Sequence, residues 1–300
     1  MTVGSASSGT LAVRGESGGA PARGADLEAV MGQAQAENFP VASRLLPRHT
    51  RSHLLALYGF ARLVDDAGDE AVGDRRALLD ELGRDLERVW HGAPHHPLMA
   101  RLRPTVAACE LPIEPFRRLI EANRRDQDQH EYRTFEELLG YCELSANPVG
   151  ELVLQVFRAA TPERLRLSNA ICSGLQLVEH WQDVGEDYRR GRIYLPAADR
   201  DRFGVRDEDL GAPAPSPAFG RLMAFEVARA RRLLDDGAPL IGTLRGRPAL
   251  AVAAFVAGGR SALMAIERAG YDVLGGRPRP GHVLRLRQFL LALLRSGRRR

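Results

Sequence analysis

Residues 54–70 read LLALYGFARLVDDAGDE, an apolar helical run that ends in four acids, Asp65, Asp66, Asp69 and Glu70. At 3.6 residues per turn, Asp65 stacks over Asp69 and Asp66 over Glu70. Like charges at this spacing destabilise an isolated helix by about 0.2–0.5 kcal/mol per pair. No arginine falls between Arg62 and Arg75, so the stretch asks for a cation from outside. Hard divalent cations take oxygen ligands, and Mg²⁺ commonly sits between one or two carboxylates and the phosphates of a substrate. A second acidic group, Asp183, Glu186 and Asp187, lies in EHWQDVGEDYRRGRIYLP (179–196). Its i, i+3, i+4 spacing puts the three acids on one helical face. Two such faces across an apolar chamber predict a clamp for a magnesium diphosphate.

The remaining chemistry follows from that clamp. A diphosphate leaves readily only when its charge is masked, and bridging metal ions supply several kcal/mol towards this. The cation left behind needs apolar walls and aromatic faces, and LLALYGF, ELLGYCEL and ELVLQVF supply them. Arg62, one turn before Asp65, can reach a phosphate or hold Asp66, and Tyr58 lies a further turn back. Arg189, Arg190 and Arg192 follow the second cluster, where bidentate arginine suits diphosphate oxygens. An acidic run after an apolar helix is more commonly a solvated end, and Asp207-Glu208-Asp209 and Asp235-Asp236 read that way. Tyr141 and Tyr194 read from the residues alone as core tyrosines with bonded hydroxyls.

A chain of 300 residues with 44% hydrophobic content has ample material for a core. All 42 basic residues are arginine, the net charge is +4, and no nucleic-acid partner is expected. Cys109, Cys142 and Cys172 lack CxxC spacing and read as reduced core residues. The three histidines of HGAPHHP (91–97) read as solvent-exposed rather than as a zinc patch. No uninterrupted apolar run approaches the roughly 18 residues of a bilayer span, and no secretory signal opens the chain. The cytoplasm is the expected location.

Residues 1–24 are Gly/Ser/Ala-rich and read as a disordered tail, followed by one domain over 25–300. Helices are expected near 25–37, 48–68, 73–91, 98–110 and 114–124. Thr134 and Glu137 form a capping box that opens a long apolar segment reaching Phe157, kinked at Asn147-Pro148. Further helices are expected over 162–187, 218–236, 247–270 and 281–297. No stretch alternates with a strand's period, so the fold class is all-α. The final helix, GHVLRLRQFLLALLRSGRRR, reads as a packed helix with a basic end, or alternatively as a reversible contact with an anionic membrane.

YGFARLVDDAGDE and QLVEHWQDVGEDYRRGRIYLP resemble the two aspartate-rich motifs of the squalene/phytoene synthase family, and TFEELLGYCELSANPVGEL resembles the segment between them. Asp126 falls at a further acidic position of that family. ENFPVASRLLP and YCELSANPVG look most like its bacterial hydroxysqualene synthases. The resemblance implies a terpenoid-synthase helical bundle around a central cavity. It implies Mg²⁺-dependent ionisation of presqualene diphosphate, rearrangement and capture by water, giving hydroxysqualene and diphosphate. Asp65, Asp69, Asp183 and Asp187 then become metal ligands, with Asp66, Glu70 and Glu186 as supporting acids. Arg62, Gln176, Arg192 and Tyr194 become diphosphate-side contacts, while Tyr58 and Tyr141 line the reacting cation.

The sequence departs from the family at three places. Glu179 stands where many relatives have Asn and is a candidate fourth ligand. Asn38, in Asn38-Phe39-Pro40, stands where phytoene synthases show serines near the phosphate. Gly258-Gly259 falls where some relatives place a tyrosine. No GxGxxG fingerprint appears, so no NADPH step is expected. Handover to other enzymes of squalene synthesis is an expected partnership. The rival reading within the family is a transferase that condenses two prenyl diphosphates. A rival of another class is a non-catalytic helical scaffold, in which Asp65→Ala and Asp183→Ala would be silent.

Overall fold

The structure, a computed structural model, describes residues 46–297, with side chains as far as Leu294. The expected tail, the helix over 25–37 and Asn38 lie outside the described residues. Twelve α-helices follow within them: α1 Arg48–Asp69, α2 Arg75–His91, α3 Pro97–Cys109, α4 Glu114–Arg125, α5 Phe135–Ser145, α6 Asn147–Val156, α7 Pro162–Arg189, α8 Ala197–Phe203, α9 Pro217–Gly237, α10 Leu240–Thr243, α11 Arg247–Arg268 and α12 His282–Gly297. A 3₁₀ turn, Asp207–Gly211, joins α8 to α9. Their starts obey local chemistry, with the side chains of Asp74, Thr134, Thr161 and Ser216 accepting from backbone N–H groups three residues on. The capping box at α5 closes one residue early, because Glu137 accepts from the N–H of Arg133.

The expected kink at Asn147-Pro148 is instead a full break between α5 and α6. Pro148 sits in the first turn of α6, where its missing N–H costs nothing. Buried Asn147 accepts from Ser173 at 3.0 Å and so pins α6 to α7. Two apolar clusters result. One is built by α1–α4 around Phe60, Leu86 and Phe116, the other around α7, α9 and α11, with Trp181 at its centre. Trp181 donates its indole N–H to the carbonyl of Glu226 at 3.2 Å.

Helix α11 comes nearest to a membrane-length segment, although Arg260 interrupts its apolar run. An 18-residue window of this 22-residue helix has mean hydropathy 1.8, long and apolar enough to cross a bilayer, yet two-thirds of that window is buried in the protein. A largely apolar helix is what a core position selects. In both acidic runs read as solvated ends a member is partnered: Asp207 meets buried Arg200, and Asp235 accepts from buried Arg260 at 2.5 Å.

Among the described residues there is no strand, only one isolated parallel bridge between Glu131 and Ile193. That bridge positions the site. Ile193 N–H donates to His130 O at 2.8 Å, and Ala197 N–H to Tyr132 O at 2.9 Å. The segment leaving α7 is thereby stitched to the segment leaving α4, next to the end of α1.

Candidate active site

On α1, Tyr58, Arg62, Asp65 and Asp69 follow one another at i, i+4, i+7 and i+11, one helical face. Arg62 Nε lies 2.8 Å from Asp66 and its Nη2 3.0 Å from Glu70. This corrects the reading of four uncompensated acids: Arg62, on the same helix, is shared between two of the four and offsets part of their charge. Asp66 and Glu70 are therefore ion-paired acids in this structure. Asp65 and Asp69 project differently. Asp65 accepts from the Asn123 amide at 3.1 Å, and Gln127 of the α4 exit donates to Gly68 O at 3.0 Å. Burial, reinforced by Asp69, pushes Asp65 up to about 6, against the pull of Asn123 and Arg62. Its side chain is nevertheless reached by solvent. A carboxylate crowded by protein yet wetted belongs to the wall of a concave site.

On α7, Gln176, Glu179, His180, Asp183 and Asp187 share the corresponding face. Glu179 is exposed, Asp183 and Asp187 are half-buried, and Glu186 points outward to Arg190 at 2.8 Å. Arg277, from the segment between α11 and α12, lies 3.4 Å from Asp183. Burial raises Asp183, with Arg277 opposing. Burial and the neighbouring Asp183 push Asp187 up to about 7, against Arg192 and Arg190. Gln182 turns away and donates to Pro278 O at 2.6 Å.

Arg192 joins the two faces. The chain reverses at Gly191, whose φ of +78° an L side chain rarely adopts. Arg192 then reaches back to α1, its Nη2 donating to Asp69 at 2.6 Å. Burial works against its charge, but the bond to Asp69, with Tyr194 and Asp126 nearby, raises its pKa. Asp126 is buried between the two motifs and accepts from the Tyr141 hydroxyl at 2.7 Å. Burial pushes it up to about 6, against Tyr141 and Arg192 and reinforced by Asp69 and Asp65. Below it, Tyr132, Tyr141, Tyr194 and His180 form an aromatic floor. The rings of His180 and Tyr194 stack at 3.6 Å, and Gln176 Nε2 lies 3.2 Å from His180 Nε2. Burial lowers His180 to about 3, so its imidazole is neutral. A small cavity opens here, lined by His180, Asp187, Arg192 and Tyr194.

The structure thus brings Arg62, Asp65, Asp69, Tyr141, Gln176, Asp183, Asp187, Arg192 and Tyr194 to one region, with Tyr58 half-buried a turn behind. Among the described residues, no three acidic, histidine or cysteine side chains are gathered into a ready-made metal cage. The arginines occupy the intervening positions. The donor set remains all oxygen, so a hard divalent cation that draws its other ligands from phosphate and water fits it. A wider groove of about 510 Å³ between α2 and α4 lies away from these acids, its walls crossed by the ion pairs Arg124–Asp80 and Arg117–Glu87.

Four contributors escape sequence reasoning. Asn123, Gln127 and Arg277 carry no motif spacing and act through contacts between segments distant in sequence, whereas His180 lies inside the second motif and is revealed only by its stacking on Tyr194. Only the run of polar residues in EANRRDQDQH (121–130) hints that α4 ends at a polar site.

Paired acidic faces joined by arginine over an aromatic floor, in an all-α bundle, define the isoprenoid synthase class. The comparisons narrow it: residues 33–286 match the squalene/phytoene synthase family, and the chain belongs to that family. It is 36% identical to a hydroxysqualene synthase of Rhodopseudomonas palustris, over 70% of this chain and 72% of that one. It is 33% identical to a phytoene synthase of Arthrospira platensis, over 81% and 83%. Among solved structures, the squalene synthase HpnC of Alicyclobacillus acidocaldarius aligns with TM-score 0.77 and 44% identity, covering 82% of this chain and 95% of that one. The chain is an isoprenoid synthase, and prenyl diphosphates are its substrate class.

Proposed function

We propose that this protein ionises presqualene diphosphate and captures the rearranged cation with water, as a hydroxysqualene synthase. The observation that carries the diphosphate chemistry is Arg192 bonded to Asp69 across the two motifs, within the field of Asp126 and Asp187. Carboxylates from α1 and α7 meet at one cationic point, where a diphosphate can be gripped from both sides. The choice of reaction is supported by 44% identity to a squalene synthase over most of both chains and 36% to a hydroxysqualene synthase.

Asp65, Asp69, Asp183 and Asp187 would hold Mg²⁺, which, when bound, masks diphosphate charge and favours its departure. Arg192 and Arg277, already facing these acids, turn their forks to phosphate oxygens. Arg62, shared between Asp66 and Glu70, offsets part of their charge and so lessens their repulsion of the incoming diphosphate. Tyr141 and Tyr194 present ring faces rather than nucleophiles, since burial and nearby acids raise both hydroxyls well above their ordinary range. Neutral His180 adds no positive charge beside a developing carbocation.

The second reading is condensation of two prenyl diphosphates, supported by 33% identity to a phytoene synthase over more of the chain than the hydroxysqualene synthase match covers. Purified protein with Mg²⁺ and presqualene diphosphate in ¹⁸O water separates the two. Labelled hydroxysqualene upholds the proposal, whereas turnover of farnesyl or geranylgeranyl diphosphate alone, with presqualene diphosphate inert, replaces it by the second reading. We propose a cytoplasmic location, with the product passed to other enzymes of squalene synthesis.

A further inference from the structure

Helix α12 carries a surface that the other described residues leave uncovered. Of the six exposed large apolar side chains among the described residues, four lie on it: Val283 (83% exposed), Leu286 (60%), Leu290 (51%) and Leu294 (65%). At about 100° per residue they fall within an arc of about 80°, a continuous stripe. The opposite face is engaged. Leu284 and Ala292 are buried, and Gln288 Nε2 meets Met264 Sδ of α11 at 2.9 Å. The helix is therefore held on the bundle with its second apolar face outward.

The charge around this stripe is one-sided. Residues 273–300 contain eight arginines and no acid, while the other 34 basic residues face all 38 acids. The terminal segment alone carries +8 and the remainder of the chain −4. Arg287 lies at the edge of the stripe and Arg279 just before the helix, both exposed.

We infer that α12 docks this protein on an anionic lipid bilayer, with Val283, Leu286, Leu290 and Leu294 among the acyl chains and the arginines at headgroup phosphates. A basic amphipathic helix is read this way on general grounds. The charge selects among occupants: a second copy would set one +8 segment against another, whereas an anionic surface complements it. The docking face is also tied to the candidate site. Arg277 meets Asp183 and Pro278 O accepts from Gln182, so the segment entering α12 lies across the second acidic motif. A bilayer-bound α12 holds that motif near the phase in which long prenyl chains dissolve. Docking is independent of the proposed reaction, because vesicle binding requires no turnover.

The test is co-sedimentation of the full chain with phosphatidylcholine vesicles lacking or containing phosphatidylglycerol. Binding is expected to the mixed vesicles, weakening as salt rises, and about tenfold or more above that to phosphatidylcholine alone. Leu286→Asp/Leu290→Asp lowers partition by about tenfold per leucine. Arg279→Gln/Arg287→Gln lowers it by about fivefold per arginine on mixed vesicles only. Should the first variant lose its circular-dichroism signal or cooperative melting, the arginine variant carries the test, since both its sites are exposed. Equal binding to both vesicle types overturns the inference, as do variants that bind like the parent. A lipid-free dimer abolished by Leu286→Asp/Leu290→Asp, with no vesicle binding by the parent, assigns the stripe to self-association instead.

Discussion

Asp187→Asn tests whether the second motif is held in an unfavourable charge state that a ligand relieves. Burial and Asp183 push Asp187 up to about 7, against about 3.9 in an unfolded chain. A raised folded-state value means the folded protein binds the proton more tightly than the unfolded chain. The contribution of this group to stability is then fully present below about pH 4 and lost as pH rises through about 7. A difference of about three units corresponds to about 4 kcal/mol at face value. Asp187 is half-buried and water screens it, so about 2 kcal/mol is the expected effect. Asparagine has nothing to ionise, so urea unfolding of metal-free protein should find the variant and parent closest near pH 4 and the variant about 2 kcal/mol more stable near pH 8. Comparing the two proteins at each pH cancels opposing groups such as His180, whose lowered value makes acidification costly. A variant that gains nothing between pH 4 and pH 8 would refute the account of a strained carboxylate.

Three further outcomes follow from the geometry. Arg192→Gln removes the fork that links the motifs, and kcat/KM should fall by about 10²–10³, the scale for loss of one preorganised donor, with Arg192→Lys recovering only part; steady-state kinetics decide it. In Gly185→Ala the added Cβ would lie 2.7 Å from the backbone oxygen of Leu274, forcing the segment that carries Arg277 away from α7. It should cost about 1–3 kcal/mol in denaturant unfolding and lower activity as well. Glu226 is fully buried, and burial pushes it up to about 8, against Arg229 and reinforced by Asp199. It is neutral near pH 7, so Glu226→Gln should change stability there by less than about 1 kcal/mol, measured by the same unfolding.

The helices and both motifs were legible because each depends on spacing within one element. Leu54, Leu57, Phe60 and Val64 repeat at helical period, and Asp183 and Asp187 cannot avoid sharing a face. Ion pairing was less legible. The i, i+4 spacing places Arg62 beside Asp66, yet its reach to Glu70, about two turns on, depends on a rotamer that packing selects. Arg192 bonding Asp69 spans 123 positions in sequence and needs both the Gly191 reversal and the backbone bridge at Ile193. The break at Ala146 reads from sequence as a kink because Pro148 marks a discontinuity without saying whether the chain bends or restarts; the buried Asn147–Ser173 bond decides it. Helix α11 was not flagged as membrane-length because Arg260 interrupts the apolar run, and that arginine is satisfied internally by Asp235.

The pattern of pairs in the candidate site carries a consequence for binding. Two of the four acids expected to meet a cation already face an arginine, Asp69 with Arg192 and Asp183 with Arg277. A metal ion arriving alone must compete with arginine for its carboxylate and leave that guanidinium unpaired. A diphosphate arriving alone must compete with carboxylate for its arginine and leave the acid unpaired. Arriving together, they partner both halves of each broken pair, so the two affinities are coupled, and linkage makes that coupling reciprocal. Titration calorimetry should then show diphosphate binding at least about tenfold tighter with Mg²⁺ than without, a coupling of about 1.4 kcal/mol. Free metal and diphosphate associate in solution, so the comparison is made against Arg192→Gln/Arg277→Gln, in which the internal competitors are gone. In that variant Mg²⁺ alone should bind more tightly than in the parent. If it binds more weakly, the arginines support the metal sites rather than compete for them, and the exchange of partners is not how the site is loaded.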